Sequence, residues 1–135
     1  MSRQIFRLKL KSTYEESEKI PDFVDDIQNK CQLNDEISGD LMLLLSEAVT
    51  NAIEHGNELD PKKVAEIEVE VTEKEIIASV KDQGAGFEPS EQENPLKEEN
   101  LLKDSGRGVF LLKELSDEME YLDGGTRLRF LLKRN

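Results

Sequence analysis

Three side chains in the run Ser46-Glu47-Ala48-Val49-Thr50-Asn51-Ala52-Ile53-Glu54-His55-Gly56-Asn57 have types and spacing suited to chemistry: a carboxylate, a carboxamide and an imidazole, each four residues from the last. On a helix of about 3.6 residues per turn, Glu47, Asn51 and His55 stack along one stripe. Leu41, Leu44, Leu45, Ala48, Val49, Ala52 and Ile53 mark a core-facing arc beside it, so Glu47 and Asn51 fall at the margin of that arc. A carboxylate and a carboxamide partly shielded from water need partners, which points to a bound group. Taken alone, the pattern fits the solvated side of an amphipathic helix equally well.

Two glycine motifs lie further on. Asp82-Gln83-Gly84-Ala85-Gly86-Phe87 follows a strand pattern ending at Lys81. Its glycines let the backbone pass close to a ligand and adopt positive φ, and Asp82 at the strand end can point into a pocket and accept a hydrogen bond. Ordinary turns share this composition, so the motif by itself is weak. Ser105-Gly106-Arg107-Gly108-Val109-Phe110 opens a helical pattern. Free backbone N–H groups and the helix dipole make such a start a phosphate cradle, although a flexible hinge has the same glycines. Arg107 offers a fork of donors to a phosphate or stands solvated.

The elements that must position these residues follow from periodicity. Arg3 to Lys11 alternates as a strand. Ser12 or Thr13 caps a helix running to about Gln32, with Pro21 marking a kink or a second start. Asn34 caps the long helix that carries Glu47 and Asn51, and Gly56 supplies a left-handed stop. Val64 to Val71 and Glu75 to Lys81 form a hairpin across Thr72-Glu73-Lys74 at the centre of the sheet. Phe87 to Ser105 is polar and aperiodic, the composition of a lid or a disordered loop. Gly106 to Leu115 reads as a helix, and Glu118 to Leu122 pairs with Thr126 to Leu132 across Asp123-Gly124-Gly125. The result is an α+β two-layer sandwich: about five strands in a mostly antiparallel or mixed sheet, with helices on one face.

The whole chain narrows the function classes. Its 135 residues suit one domain, spanning 1–135. A net charge of −12 argues against a nucleic-acid partner, whose phosphates reward Lys and Arg. A free nucleotide stays possible, because local amides, a metal ion and a few basic side chains can hold phosphates. Cys31 is the single cysteine, so no intramolecular disulfide forms, which fits a reducing compartment. The longest apolar run, Leu41 to Leu45, is far too short for a membrane span, and the expected location is cytoplasmic.

Together, in this order and with a long polar segment between the second and third, the three motifs resemble the GHKL-type ATP-binding domain family shared by gyrase, histidine kinases and MutL. The nearest likeness is to the bacterial anti-sigma-factor serine-protein kinases. The resemblance runs from Glu47-Ala48-Val49-Thr50-Asn51-Ala52 through Asp82-x-Gly84-x-Gly86 and Gly106-Arg107-Gly108-Val109-Phe110-Leu111-Leu112 to Gly124-Gly125-Thr126. It implies a Bergerat-type fold that binds ATP and Mg²⁺ under a lid at 87–105. It implies that Asn51 coordinates Mg²⁺ through its amide oxygen and that Glu47 is the general base. By the same likeness Asp82 accepts the adenine amino proton, Gly84 and Gly86 admit base and ribose, and Gly106, Arg107 and Gly108 hold phosphates. Thr126 resembles the residue that supports the adenine contact, or is an ordinary strand threonine. His55 takes a packing or helix-end role rather than a catalytic one.

The implied activity is an ATP-dependent serine-protein kinase acting on a small anti-anti-sigma (STAS-type) regulator, with a sigma factor as a possible second partner. A histidine kinase needs a dimerisation helix pair and a gyrase-like machine a transducer domain, and neither is expected in a chain of this length. The alternative is a nucleotide-gated module that holds a partner without phosphorylating it. The first strand, expected at a sheet edge, offers a route to a homodimer.

Overall fold

The computed structural model describes residues 3–84 and 112–134. Five strands order as β1-β2-β3-β5-β4: β1 Gln4–Lys11, β2 Val64–Val71, β3 Glu75–Lys81, β4 Glu118–Leu122 and β5 Arg127–Lys133. Every pairing is antiparallel, as in Leu8↔Ile67↔Val80↔Leu128 across four strands. Each strand alternates apolar and polar residues, so one face of the sheet carries Leu10, Ile67, Val69, Ala78 and Phe130, all buried. The other face is laced with ion pairs such as Arg7 Nε to Glu68 (3.0 Å) and Arg129 to Glu120 (3.0 Å). These exposed pairs add solubility more than stability.

Two helices, α1 Ile20–Cys31 and α2 Asp35–Asn51, cover the apolar face. Asn34 caps α2 as the sequence predicts: its Oδ1 accepts the Ile37 N–H at 2.8 Å, and Asp35 and Glu36 lie in the first turn, where the helix dipole favours acids. Leu41, Leu44, Leu45, Ala48, Val49, Ala52 and Ile53 are all buried, which bears out the predicted core arc. β1 and β4 are the edges, and β2 and β3 are interior. The α+β two-layer architecture is therefore as expected, with the described sheet wholly antiparallel. Among the described residues no helix is long and apolar enough to cross a membrane.

Of the two readings of Pro21, the second start holds: a 3₁₀ turn, Tyr14–Lys19, hands over to α1, and Pro21 sits in the first turn of α1, where its missing N–H costs nothing. Three local expectations change. Gly56 is not a left-handed stop, because α2 runs into a π-turn, Ala52–Gly56, closed by the Asn57 N–H on the Ala52 carbonyl at 2.8 Å. Positive φ falls on Glu58 and Leu59 instead. The wide turn also breaks the four-residue spacing, so His55 leaves the Glu47–Asn51 stripe; it is exposed, with Nε2 3.9 Å from Glu54. Finally, β5 begins at Arg127, leaving Thr126 in the turn. That turn needs its glycines, since Gly124 and Gly125 take φ of 68° and 94°.

Candidate functional site

Glu47 and Asn51 lie one turn apart near the C-terminal end of α2, both half-buried. The Asn51 Nδ2 atom is buried and, among the described residues, has no hydrogen-bond partner. An unpaired buried amide costs about 1–3 kcal/mol, so a donor left in this state is one that a bound group would satisfy.

The Asp82 turn meets the end of that same helix. Its backbone N–H donates to the Thr126 carbonyl at 2.8 Å, joining the end of β3 to the turn before β5. The carboxylate accepts the Gly84 N–H through Oδ1, also at 2.8 Å, which folds the chain into a tight Asx-type turn. Neither Gly56 nor Gly84 has positive φ. A methyl at Gly56 would overlap the Asp82 carboxylate, and one at Gly84 would overlap the Gly56 carbonyl. Both glycines therefore serve backbone approach: π-turn and strand-end turn are in contact, and Asp82 is held between them. Burial pushes the Asp82 carboxyl above its ordinary 3.8, against the pull of the Gly84 N–H and of Lys63 and Lys81.

Behind the turn lies a polar knot built on Asn57, which has no exposed surface. Its Nδ2 donates to Ser12 Oγ (2.8 Å) and to the Val64 carbonyl (3.1 Å), and its Oδ1 accepts the Gln83 N–H (2.7 Å). Ser12, also fully buried, donates to the Lys63 carbonyl at 2.8 Å. Gln83 Oε1 accepts the Val64 N–H at 2.7 Å. Sequence reasoning gave Asn57 and Gln83 no role and offered Ser12 only as a helix cap, a place that Thr13 takes by accepting the Glu16 N–H at 3.4 Å. The available signal was slight: Asn57 closes the helix motif, but an asparagine after a glycine has the composition of any loop.

Thr126 takes part through its backbone. Its carbonyl receives the Asp82 N–H, while its hydroxyl donates to the Asp123 carbonyl at 2.8 Å and so is committed to the turn. Nearby, the Asp123 carboxylate is held below the usual range by Arg127, whose Nε donates to it at 3.0 Å, with Lys81 also contributing. Of the predicted site residues, Asp82 and Gly84 are brought to the π-turn that continues the helix bearing Glu47 and Asn51, and Thr126 is joined to Asp82 through its carbonyl. Gly86, Gly106, Arg107, Gly108 and the 87–105 lid lie outside the described residues.

The donor set fits a magnesium nucleotide. A carboxamide offers a hard oxygen to a small cation while its NH₂ donates to a phosphate oxygen, and the unpartnered Nδ2 of Asn51 is such a donor. A half-buried carboxylate beside backbone can accept from an exocyclic amine. Among the described residues no three His, Cys, Asp or Glu side chains gather into a metal cluster. One protein oxygen beside phosphates is enough for Mg²⁺, which keeps several waters.

Comparison with known proteins gives the family and the fold. A family model described as "Histidine kinase-like ATPase domain" matches residues 10–132. An anti-sigma F factor of Clostridium perfringens is 39% identical over 101 residues, 71% of this chain and 72% of its own length. A serine-protein kinase RsbW of Staphylococcus aureus is 31% identical over 97 residues, 66% of this chain and 61% of its own. Among solved structures, the RsbU and RsbW domains of a Mycobacterium tuberculosis protein superpose with a TM-score of 0.61 at 14% identity. That likeness, which concerns the fold alone, covers 98% of this chain and 32% of the other.

Proposed function

This chain belongs to the histidine kinase-like ATPase family, and from that premise we propose that it is an ATP- and Mg²⁺-dependent serine-protein kinase and anti-sigma factor. Its acceptor is a serine of a small anti-anti-sigma regulator of the STAS type, and the partner it withholds is a sigma factor. The observation that carries this reading is the unpartnered buried amide of Asn51, one helical turn from Glu47. Relatives named as anti-sigma F factors and as a serine-protein kinase support a sigma-factor partner and a serine acceptor.

The roles follow from what each group can do. Asn51 would hold Mg²⁺ through its carboxamide oxygen, and the chemistry that ion would supply is neutralisation of phosphate charge. Asp82, fixed between two turns, accepts the adenine amine. Glu47 orients the serine hydroxyl and takes its proton as the oxygen attacks the γ-phosphorus; the serine O–P bond forms, the bond to the β-phosphate oxygen breaks, and ADP leaves. Such a transfer depends mainly on positioning, which a rigid helix supplies better than a loop. We place the protein in the cytoplasm, and propose that the exposed β1 edge pairs two copies into a homodimer.

The decisive experiment incubates the protein with ATP, Mg²⁺ and its cognate regulator and measures phosphoserine by mass spectrometry. Glu47→Ala should abolish transfer while ATP affinity stays within about twofold, since the base acts on the acceptor. Partner capture without phosphoserine in the wild type would mean a nucleotide-gated binding module. Equal loss of ATP affinity in Glu47→Ala would assign that carboxylate to structure.

A further inference from the structure

The backbone on both sides of Asp82 is pinned before any ligand arrives. The N–H that precedes its Cα is held by the Thr126 carbonyl at 2.8 Å, and the next one, of Gln83, by Asn57 Oδ1 at 2.7 Å. With both peptide planes fixed, the Cα–Cβ bond of Asp82 has one direction. The first anchor is a mere backbone contact between neighbouring strand ends. The second is a side chain, and a costly one to bury: Asn57 has no exposed surface and spends its whole carboxamide on Gln83, Ser12 and Val64. Ser12 in turn is braced on the Lys63 carbonyl, so the anchor is rigid. The π-turn is what carries Asn57 inward, because its N–H closes on Ala52 rather than on the residue that an α-turn would use.

We propose that Asn57 is a positioning residue for base recognition: by holding the Gln83 peptide it aims the Asp82 carboxylate, and so sets the preference for adenine over guanine. A carboxylate in a fixed direction accepts from the 6-amine of adenine and meets the 6-carbonyl of guanine acceptor to acceptor. A carboxylate free to swing would lose most of that contrast. This inference rests on the reading of Asp82 as the group that accepts the adenine amine.

The test is calorimetric titration of ATP and GTP, with Mg²⁺, into the wild type, Asn57→Ala and Ser12→Ala. The wild type should favour ATP. Asn57→Ala should bind ATP about tenfold more weakly, with GTP affinity within about twofold, so that selectivity falls about tenfold. Ser12→Ala, which removes the brace and leaves the anchor, should move selectivity the same way by about threefold. Partial unfolding lowers the fitted stoichiometry and leaves the ratio of the two dissociation constants unchanged, so a merely structural role would not move this readout. The proposal is overturned if Asn57→Ala keeps the wild-type ratio, or if Ser12→Ala keeps it where Asn57→Ala does not fold. A wild type indifferent to the base would remove the Asp82 reading, and this inference with it. A wild type that discriminates beside variants that do so equally would remove the Asn57 role alone.

Discussion

Replacing Asn51 by alanine should make the empty protein more stable and the nucleotide-loaded protein less so. Among the described residues the Asn51 Nδ2 is buried without a partner, a state worth about 1–3 kcal/mol of lost stability. Alanine removes that cost and adds about 0.5 kcal/mol of helix propensity within α2. The side chain is only half-buried, so truncation opens toward solvent and leaves no sealed cavity to offset the gain. A net gain of about 1–2 kcal/mol corresponds to about 3–8 °C in Tm for a chain of this size. The opposite sign holds with ligand: at about a hundredfold excess over Kd, ATP and Mg²⁺ should stabilise the wild type by about 2.7 kcal/mol and the variant far less. Differential scanning calorimetry of both proteins, with and without nucleotide and metal, reads all four states. A variant that loses more than about 1 kcal/mol when empty, yet still gains from ATP and Mg²⁺, would show that Asn51 is a structural residue and refute the reasoning.

Asp82→Asn keeps an oxygen for the Gly84 N–H but removes a charge that burial disfavours. Because the folded carboxyl titrates above its ordinary 3.8, the folded state binds the proton more readily, and the ionised group subtracts from stability at neutral pH; that penalty is relieved as pH falls through the raised value. The variant should therefore melt no lower than wild type at neutral pH, with its advantage vanishing below the ordinary carboxylate range, while ATP affinity drops; a lower Tm at neutral pH would contradict this. In the wild type, ATP affinity measured by titration should fall with acid at a pH above that of an exposed carboxylate. Gly84→Ala should cost about 1–3 kcal/mol in urea denaturation and weaken ATP binding, because the added methyl collides with the Gly56 carbonyl and the turn must open. Unchanged stability there would mean the two turns have room to part.

Much of the scaffold was readable because it rests on local rules. Alternation with period two placed all five strands, and the Asn34 cap with its two following acids placed the start of α2. The residues of the candidate site were also recognisable by type, since a carboxylate and a carboxamide beside a leucine arc, and an Asp-x-Gly turn after a strand, are visible in the linear chain. What misled was punctuation. Gly56 has the composition of a helix stop, yet a glycine required by a neighbour 26 residues away and a glycine required by its own φ look the same in sequence. Thr126 suits a strand by propensity, and the turn claimed it through a hydroxyl bond three residues back.

By itself the sequence determined the order of elements, the apolar faces they bury and the chemical types offered at the end of α2, because these depend on periodicity and side-chain chemistry alone. Only the tertiary structure decided how those types meet: that α2 ends in a π-turn, that Gly56 and Gly84 give way so that Asp82 sits between two backbones, and that Asn57 turns inward to hold them. The reason is that such contacts join residues far apart in the chain, where a buried polar atom finds its partner through packing and hydrogen-bond satisfaction rather than through any neighbour in sequence.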